Sequence, residues 1–152
     1  MYDVEEIRKD FPVLGLEVNG KPNTFLDSAA SAQKPRQVID RMVDAYSREY
    51  SNVHRGSYLL SEAMTSDYEK ARQTVARFLN AKSPQEIVFT RNATESINLV
   101  ASSWGRKFLT KIDEVLISEA EHHANLVPWQ ILRDEIGFEL KIFKINDDGS
   151  FN

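Results

Sequence analysis

From residue 85 onward the chain alternates between two hydrophobic periods, and this alternation most limits what it can fold into. Glu86-Ile87-Val88-Phe89-Thr90 is a short apolar run with the pattern of a buried strand. Thr94 to Trp104 follows with helical spacing and is closed by Gly105. Glu114 to Ser118 reads as a second strand. Asn125 to Ile136 reads as a second helix, stopped by Gly137. Phe138 to Ile145 reads as a third strand, with Asp148-Gly149 turning after it. Strands separated by helices of about 12 residues imply βαβ units and parallel pairing. Residues 85–152 are therefore expected to form a βαβαβ segment of an α/β fold. Parallel sheets are normally covered on both faces, so a sheet this small is expected to be part of something larger.

Residues 1–84 read as a helical segment. Asp3 caps a first short helix, with Glu6 in the reciprocal capping position and Pro12 beyond its end. Gly15, Asn19, Gly20 and Pro22 form a turn-rich stretch suited to a small hairpin or loop. Thr24-Phe25-Leu26 is an extended candidate that runs into the small residues Asp27 to Ala32. Pro35 suits a helix first turn. Val38, Met42, Tyr46 and Tyr50, flanked by Ile39 and Val43, predict one apolar helical face over 36–50. After a loop from Ser51 to Ser57, a helix to about Asn80 is expected to bury Met64, Tyr68, Ala71, Val75, Phe78 and Leu79.

Composition removes several function classes. Apolar residues are 41% and charged residues 28% of the 152, the balance of a globular chain. Nineteen basic and twenty-three acidic residues leave a net charge of −4, which argues against a nucleic-acid partner. No apolar run approaches the roughly 18 residues of a membrane span. The acidic start, Met1 to Glu6, is unlike a signal peptide. Cysteine is absent, so these residues hold no disulfide, thiolate metal site or cysteine nucleophile. No metal site is expected, and a reducing, cytoplasmic location fits. Only His54, His122 and His123 can supply imidazole.

Ligands of open α/β sheets bind beyond the carboxyl ends of the strands. Arg91-Asn92-Ala93-Thr94-Glu95-Ser96 leaves the first strand and opens a helix, whose amides and hydroxyls suit a phosphate. The same residues also suit simple helix capping. Ser118 to Asn125 leaves the second strand with His122 and His123. A flat imidazole there either stacks on a planar ring and handles protons, or makes local loop hydrogen bonds. Asn52-Val53-His54-Arg55-Gly56 offers a guanidinium for a carboxylate or phosphate, or is a solvated loop with a tight turn at Gly56. Trp104 and Trp129 read as core residues rather than ligand platforms.

Four ordered blocks carry a family resemblance. They are Leu26-Asp27-Ser28-Ala29-Ala30-Ser31-Ala32-Gln33-Lys34-Pro35, Asn52 to Gly56, Thr90 to Val100, and Glu121 to Gln130. Together they resemble the group II (Suf-system, selenocysteine-lyase-like) cysteine desulfurases, which are class V aminotransferase-like enzymes using pyridoxal phosphate. The resemblance implies an incomplete fold type I large domain. It implies that Ala93, Thr94 and Glu95 bind the cofactor phosphate and that His122 stacks on its ring and assists proton transfer. It places Ala29 and Ala30 at the substrate end of the pocket, and His54 and Arg55, as substrate-pocket residues, near its mouth or at the dimer interface. Where this family has Gly-Thr-Thr-Glu, the chain has Asn92-Ala93-Thr94-Glu95. Asn92 can reach a left-handed conformation, and with alanine at position 93 the family's threonine hydroxyl is lost.

In such enzymes a lysine forms a Schiff base with the cofactor and a cysteine becomes a persulfide. Both lie in later segments, so the chain is expected to be the N-terminal third of the enzyme and inactive alone. The complete enzyme would be a homodimer taking L-cysteine or selenocysteine and passing sulfur to an acceptor protein of Fe–S assembly. In its seven-stranded sheet, the first two strands of this chain would be separated by later ones. Two alternatives stand beside this: a non-catalytic binding or dimerisation module, and a fragment of another class V enzyme.

Overall fold

In the computed structural model, which describes residues 2–151, Asp3 opens helix α1 (Val4–Arg8). Its carboxylate accepts from the Glu6 amide at 3.2 Å. The reciprocal half of the expected capping box is replaced, because the Glu6 carboxylate takes the Lys9 ammonium at 2.5 Å. Strands β1 (Glu17–Val18) and β2 (Lys21–Pro22) form a small antiparallel hairpin. Asn19 and Gly20 join them at φ 54° and 72°. Two left-handed residues in succession are what a tight two-residue hairpin requires. Residues 24–26 join no sheet.

The chain divides at Ile87/Val88 into two compact units. In the first, α2 (Arg36–Asp44) continues as a π-helical turn to Glu49, and α3 runs Leu59–Phe78. The four-residue spacing of α2 is real, but its apolar face is exposed at Val38, Met42, Tyr46 and Tyr50. The charged flank meets α3 instead: Arg41 bridges Asp67 of α3 at 3.1 Å and, in the turn that continues its own helix, Glu49 at 2.8 Å. The expected stripe of α3 also differs. Met64 and Val75 are half-buried, Tyr68, Phe78 and Leu79 are exposed, and the fully covered positions are the small residues Ser61 and Ala76. Small side chains let the loop before α3 lie close against it.

In the second unit, α4 (Ala93–Val100) passes through a π-helical turn (Ala101–Gly105) into α5 (Arg106–Phe108). Gly105 therefore does not stop the helix. It is helical itself, at φ −59° and ψ −50°, and a Cβ there would lie 2.7 Å from Leu132 Cδ2. Its role is close packing. Strand β3 (Glu114–Ser118), helix α6 (Val127–Ile136) and strand β4 (Glu139–Phe143) form a βαβ unit. The strands pair in parallel, from Glu114 opposite Glu139 to Ser118 opposite Phe143. Gly137, at φ 91°, ends α6 in the left-handed conformation that favours glycine.

Ala101, Leu132 and Phe138 are the core, with Leu109, Val115, Trp129, Ile136 and Leu140 packed around them. Trp129 is thus a core residue, whereas Trp104 is exposed against Phe108. Arg106 forks onto Glu135 at 3.0 and 2.9 Å and ties α5 to α6. Gly149 turns the chain after β4 at φ 83°.

The α/β class with parallel strands holds, but the expected βαβαβ reduces to βαβ. Ile87 is extended at φ −97° and ψ 119°, yet residues 87–90 lie outside both sheets. A strand exists only through its ladder partner. The seven-stranded arrangement implied by the resemblance does not make 87–90 a neighbour of β3. Among the described residues, no helix is long and apolar enough to cross a membrane.

Candidate functional site

Asn92 decides the first loop. Its backbone is extended at φ −167° and ψ 172°, a conformation open to any residue, so no left-handed turn is needed here. Its side-chain oxygen accepts from the Glu95 amide at 2.9 Å and caps α4. The Glu95 amide is therefore satisfied within the loop. The Glu95 carboxylate reaches back to the Arg91 amide at 2.6 Å, and its guanidinium lies alongside. These bonds hold the Glu95 carboxyl below its ordinary pKa, with the backbone bond to Arg91 the larger cause. The amides of Ala93 and Thr94, first and second in the helix, have no intrahelical acceptor by geometry. The hydroxyls of Thr90 and Ser96 share a hydrogen bond at 2.6 Å.

We expect Asn92→Ala to destabilise the second unit by about 1 kcal/mol, the usual worth of a helix cap. Thermal unfolding checks this. Asn92→Asp should retain nearly all of the stability, since a carboxylate caps equally well and favours the helix start.

The second loop is clamped by Glu121. Its carboxylate accepts from Asn125 Nδ2 at 2.8 Å and from Ser118 Oγ at 2.9 Å. Asn125 in turn accepts from Trp129 Nε1 at 3.0 Å. The end of β3 is thereby fastened to the start of α6, with His122 and His123 on the loop between. His122 Nδ1 accepts from the Ala124 amide at 3.1 Å, which places the neutral ring's proton on Nε2. His122 and His123 are exposed and meet edge to face at 6.0 Å. The short turn His123–Asn125 packs against α4, so the structure brings the His122 loop and the helix that starts at Ala93 together. A second carboxylate, Glu119, holds the strand end to Lys144 at 2.6 Å and to the Ile145 amide at 2.9 Å.

The bonds from Asn125 and then Ser118 hold the Glu121 carboxyl below its ordinary value of 4.5. A carboxyl depressed in the folded state stabilises the fold above its unfolded pKa, and that contribution is lost as pH falls through the folded pKa. Glu121→Gln should therefore be less stable than the parent at neutral pH. The deficit should shrink below about pH 4.5, the ordinary carboxyl value. Paired denaturant titrations across that range check it, and a deficit independent of pH contradicts the clamp's dependence on charge.

In the first unit, Ala29 and Ala30 sit exposed in a turn where the Ala30 and Ser31 amides donate to the Asp27 carbonyl. His54 and Arg55 are exposed on the loop before α3. Among the described residues, no hydrogen bond or ring contact joins Ala29 or Ala30 to His54 or Arg55. Gly56 is not the left-handed residue of this loop; His54 is, at φ 63°. A Cβ on Gly56 would meet Ser61 Oγ at 2.6 Å, so what the position requires is the absence of a side chain.

The loop is stitched to α3 in series. Ser61 Oγ donates to the Asn52 carbonyl at 2.6 Å, Thr65 Oγ1 donates to the Ser61 carbonyl at 2.7 Å, and the His54 amide donates to Thr65 Oγ1 at 2.9 Å. Neither Glu121 nor the residues behind His54 stood out in the sequence. Polar residues spaced Ser118, Glu121 and Asn125 between a strand and a helix were the one available signal.

The Aminotransferase class-V family matches residues 24–152. A cysteine desulfurase of Pectobacterium atrosepticum is 52% identical over 151 residues, covering 99% of this chain and 37% of its own length. One from Escherichia coli (strain K12 / DH10B) is 49% identical over 150 residues, with 99% and 37% covered. The apo cysteine desulfurase from Thermococcus onnurineus NA1 superposes with a TM-score of 0.85 at 34% identity, covering 100% of this chain and 36% of that one. The Escherichia coli cysteine desulfurase CsdA in its S-sulfonic acid form gives 0.75 at 39% identity, with 97% and 36% covered. The chain belongs to the class V aminotransferase family. It spans about 37% of the length of the curated relatives it matches.

Proposed function

We propose that these residues are the N-terminal part of a pyridoxal-phosphate-dependent cysteine desulfurase of the Suf group. The observation that carries this is the juxtaposition of two loops in the second unit. The open amides of Ala93 and Thr94 at the start of α4 suit a phosphate, and the His122 loop packs against that helix. The donor set fits the cofactor: Ala93, Thr94 and Glu95 form the phosphate-binding turn, with Thr94 and the first amides as donors and Glu95 fixing the backbone. The His122 imidazole would lie on the ring and handle a proton through Nε2. Ala29, Ala30, His54 and Arg55 are the substrate-pocket residues of this reading. The cofactor, when bound, supplies the electron sink for chemistry at the α-carbon of an amino acid.

The chain contains no cysteine, so sulfur cannot become a persulfide on these residues. The parent reaction is taken to convert L-cysteine, or its selenium analogue, to alanine, with the sulfur passed to an acceptor of Fe–S assembly in the cytoplasm. Adding pyridoxal phosphate and L-cysteine to the 152-residue chain should give neither alanine nor a stoichiometric visible Schiff-base band. Alanine release from this chain alone would overturn the assignment of the sulfur step to other residues.

A second reading has its own observation. The exposed face of α2, with Met42, Val43 and Tyr46, is the kind of apolar patch that marks an interaction surface. On this reading the helix associates with a second subunit, as a homodimeric enzyme would need. Light scattering behind size exclusion checks it. A Tyr46→Glu change should abolish any dimer, and a chain that is monomeric at every concentration removes the reading.

A further inference from the structure

His54 is an exposed loop residue held by three contacts. Its backbone is left-handed at φ 63°, a conformation uncommon for a non-glycine residue. Its amide donates to Thr65 Oγ1 at 2.9 Å. Its Nε2 lies 3.0 Å from Glu69 Oε1. Its ring meets Tyr68 edge-on with centroids 5.9 Å apart.

Glu69 is itself fixed. Its second oxygen accepts from Arg72 Nε at 3.1 Å. Arg72 also donates to the Ile87 carbonyl and lies over the Tyr68 ring at 5.0 Å. The carboxylate is therefore aimed rather than floating. A carboxylate accepts only, so the bond to Glu69 requires the proton on His54 Nε2. Nδ1 is left as the ring's acceptor, and no hydrogen-bond partner meets it among the described residues. An imidazole oriented by a carboxylate, with its other nitrogen open, is an arrangement for receiving a proton from a bound group.

We propose that Glu69 is the positioning residue of His54. It fixes the Nε2–H tautomer and presents Nδ1 to the substrate. The statement about substrate rests on the desulfurase reading, whereas the statement about the ring does not. Thr65 fixes the backbone half of the same arrangement, and Arg72 keeps the carboxylate aimed.

The test has two arms. In the first, nitrogen-15 spectra of the three imidazoles of the chain are recorded on the alkaline side of their titration. The His54 Nε2–H proton is expected to exchange with solvent about tenfold more slowly than that of His123, as a charge-assisted bond implies. Glu69→Ala should abolish that protection. Glu69→Gln keeps an acceptor without charge and should give an intermediate value, and it decides the matter if the alanine variant fails to fold. Equal exchange in parent and Glu69→Gln, or a proton found on Nδ1, overturns the proposal.

The second arm measures kcat/KM for cysteine desulfuration in the native polypeptide that carries these residues. His54→Ala and Glu69→Ala should each lower it about tenfold or more. The double variant should lose no more than His54→Ala alone, because residues acting as a unit are not additive. Additive losses overturn the proposal, since a merely structural Glu69 would cost the same in either background. If the parent polypeptide releases no alanine from cysteine, the desulfurase reading fails, and the spectra still decide whether Glu69 positions His54.

Discussion

Replacing Leu132 with alanine is expected to destabilise the βαβ unit by an amount in the upper part of about 2–5 kcal/mol. Leu132 is 2% exposed and sits at the centre of the cluster with Ala101 and Phe138. The substitution removes buried methyl groups and leaves a cavity, and both terms act in the same direction. The site cannot readily collapse to fill it. The α4–α5 helix already lies as close as Gly105 allows, and the Arg106–Glu135 fork holds α5 at a fixed distance from α6. A domain has a net stability of only about 5–15 kcal/mol, so a large share would be lost. Trp129 packs against the same cluster, so its fluorescence reports the transition in a urea titration. Leu116→Ala, at an exposed position of β3, should change stability by about 0.5 kcal/mol or less. Similar losses for the two leucines would contradict the assigned core.

Gly56→Ala is the second large effect, and it acts on the first unit. The new methyl group would lie 2.6 Å from Ser61 Oγ and 2.7 Å from Ser61 Cβ. Ser61 is completely buried, so it has nowhere to go except by moving the helix or the loop. Overpacking of this kind costs about 1–3 kcal/mol. Displacing Ser61 would also weaken its bond to the Asn52 carbonyl and, through Thr65, the restraint on the His54 amide. The expected signature is thus double: a lower unfolding midpoint, and faster exchange at the His54 amide under native conditions. Gly15→Ala, where a Cβ would meet nothing within 4 Å, is the control and should show neither change.

These two glycines also show where the sequence was legible and where it was not. Strands β3 and β4, helix α6 and its Gly137 stop follow from local period and punctuation, and each was visible in the chain itself. Gly56 and Gly105 were visible as glycines, but their reason was not. One suggested a turn and the other a helix stop, while both in fact admit a neighbour from another part of the fold. The run 87–90 misled for a related reason, and α2 shows the same limit. Period shows which residues share a face; it does not show whether anything covers that face. For α2 it is the charged flank, through Arg41, that meets α3. For 87–90 the extended backbone lies in neither sheet.

The candidate site divides in the same way. The four motif blocks located the loops, and the positions of His122 and Thr94 follow from them. What fixes those loops was hidden. Asn92 looked like a substitute for glycine and acts as a helix cap. Glu121 and Glu69 are two among twenty-three acidic residues, and only the fold shows that each is held by two partners and faces or flanks a histidine.

The most direct test of the central claim is product analysis on the native polypeptide that carries these residues, loaded with pyridoxal phosphate and given L-cysteine. The desulfurase reading predicts alanine, with sulfur released in equal amount once a thiol reductant is added, and a loss of that activity in Thr94→Ala and His122→Ala. A keto-acid product, or turnover of another amino acid with cysteine left untouched, would contradict it and assign the chain to a different reaction of the class V family.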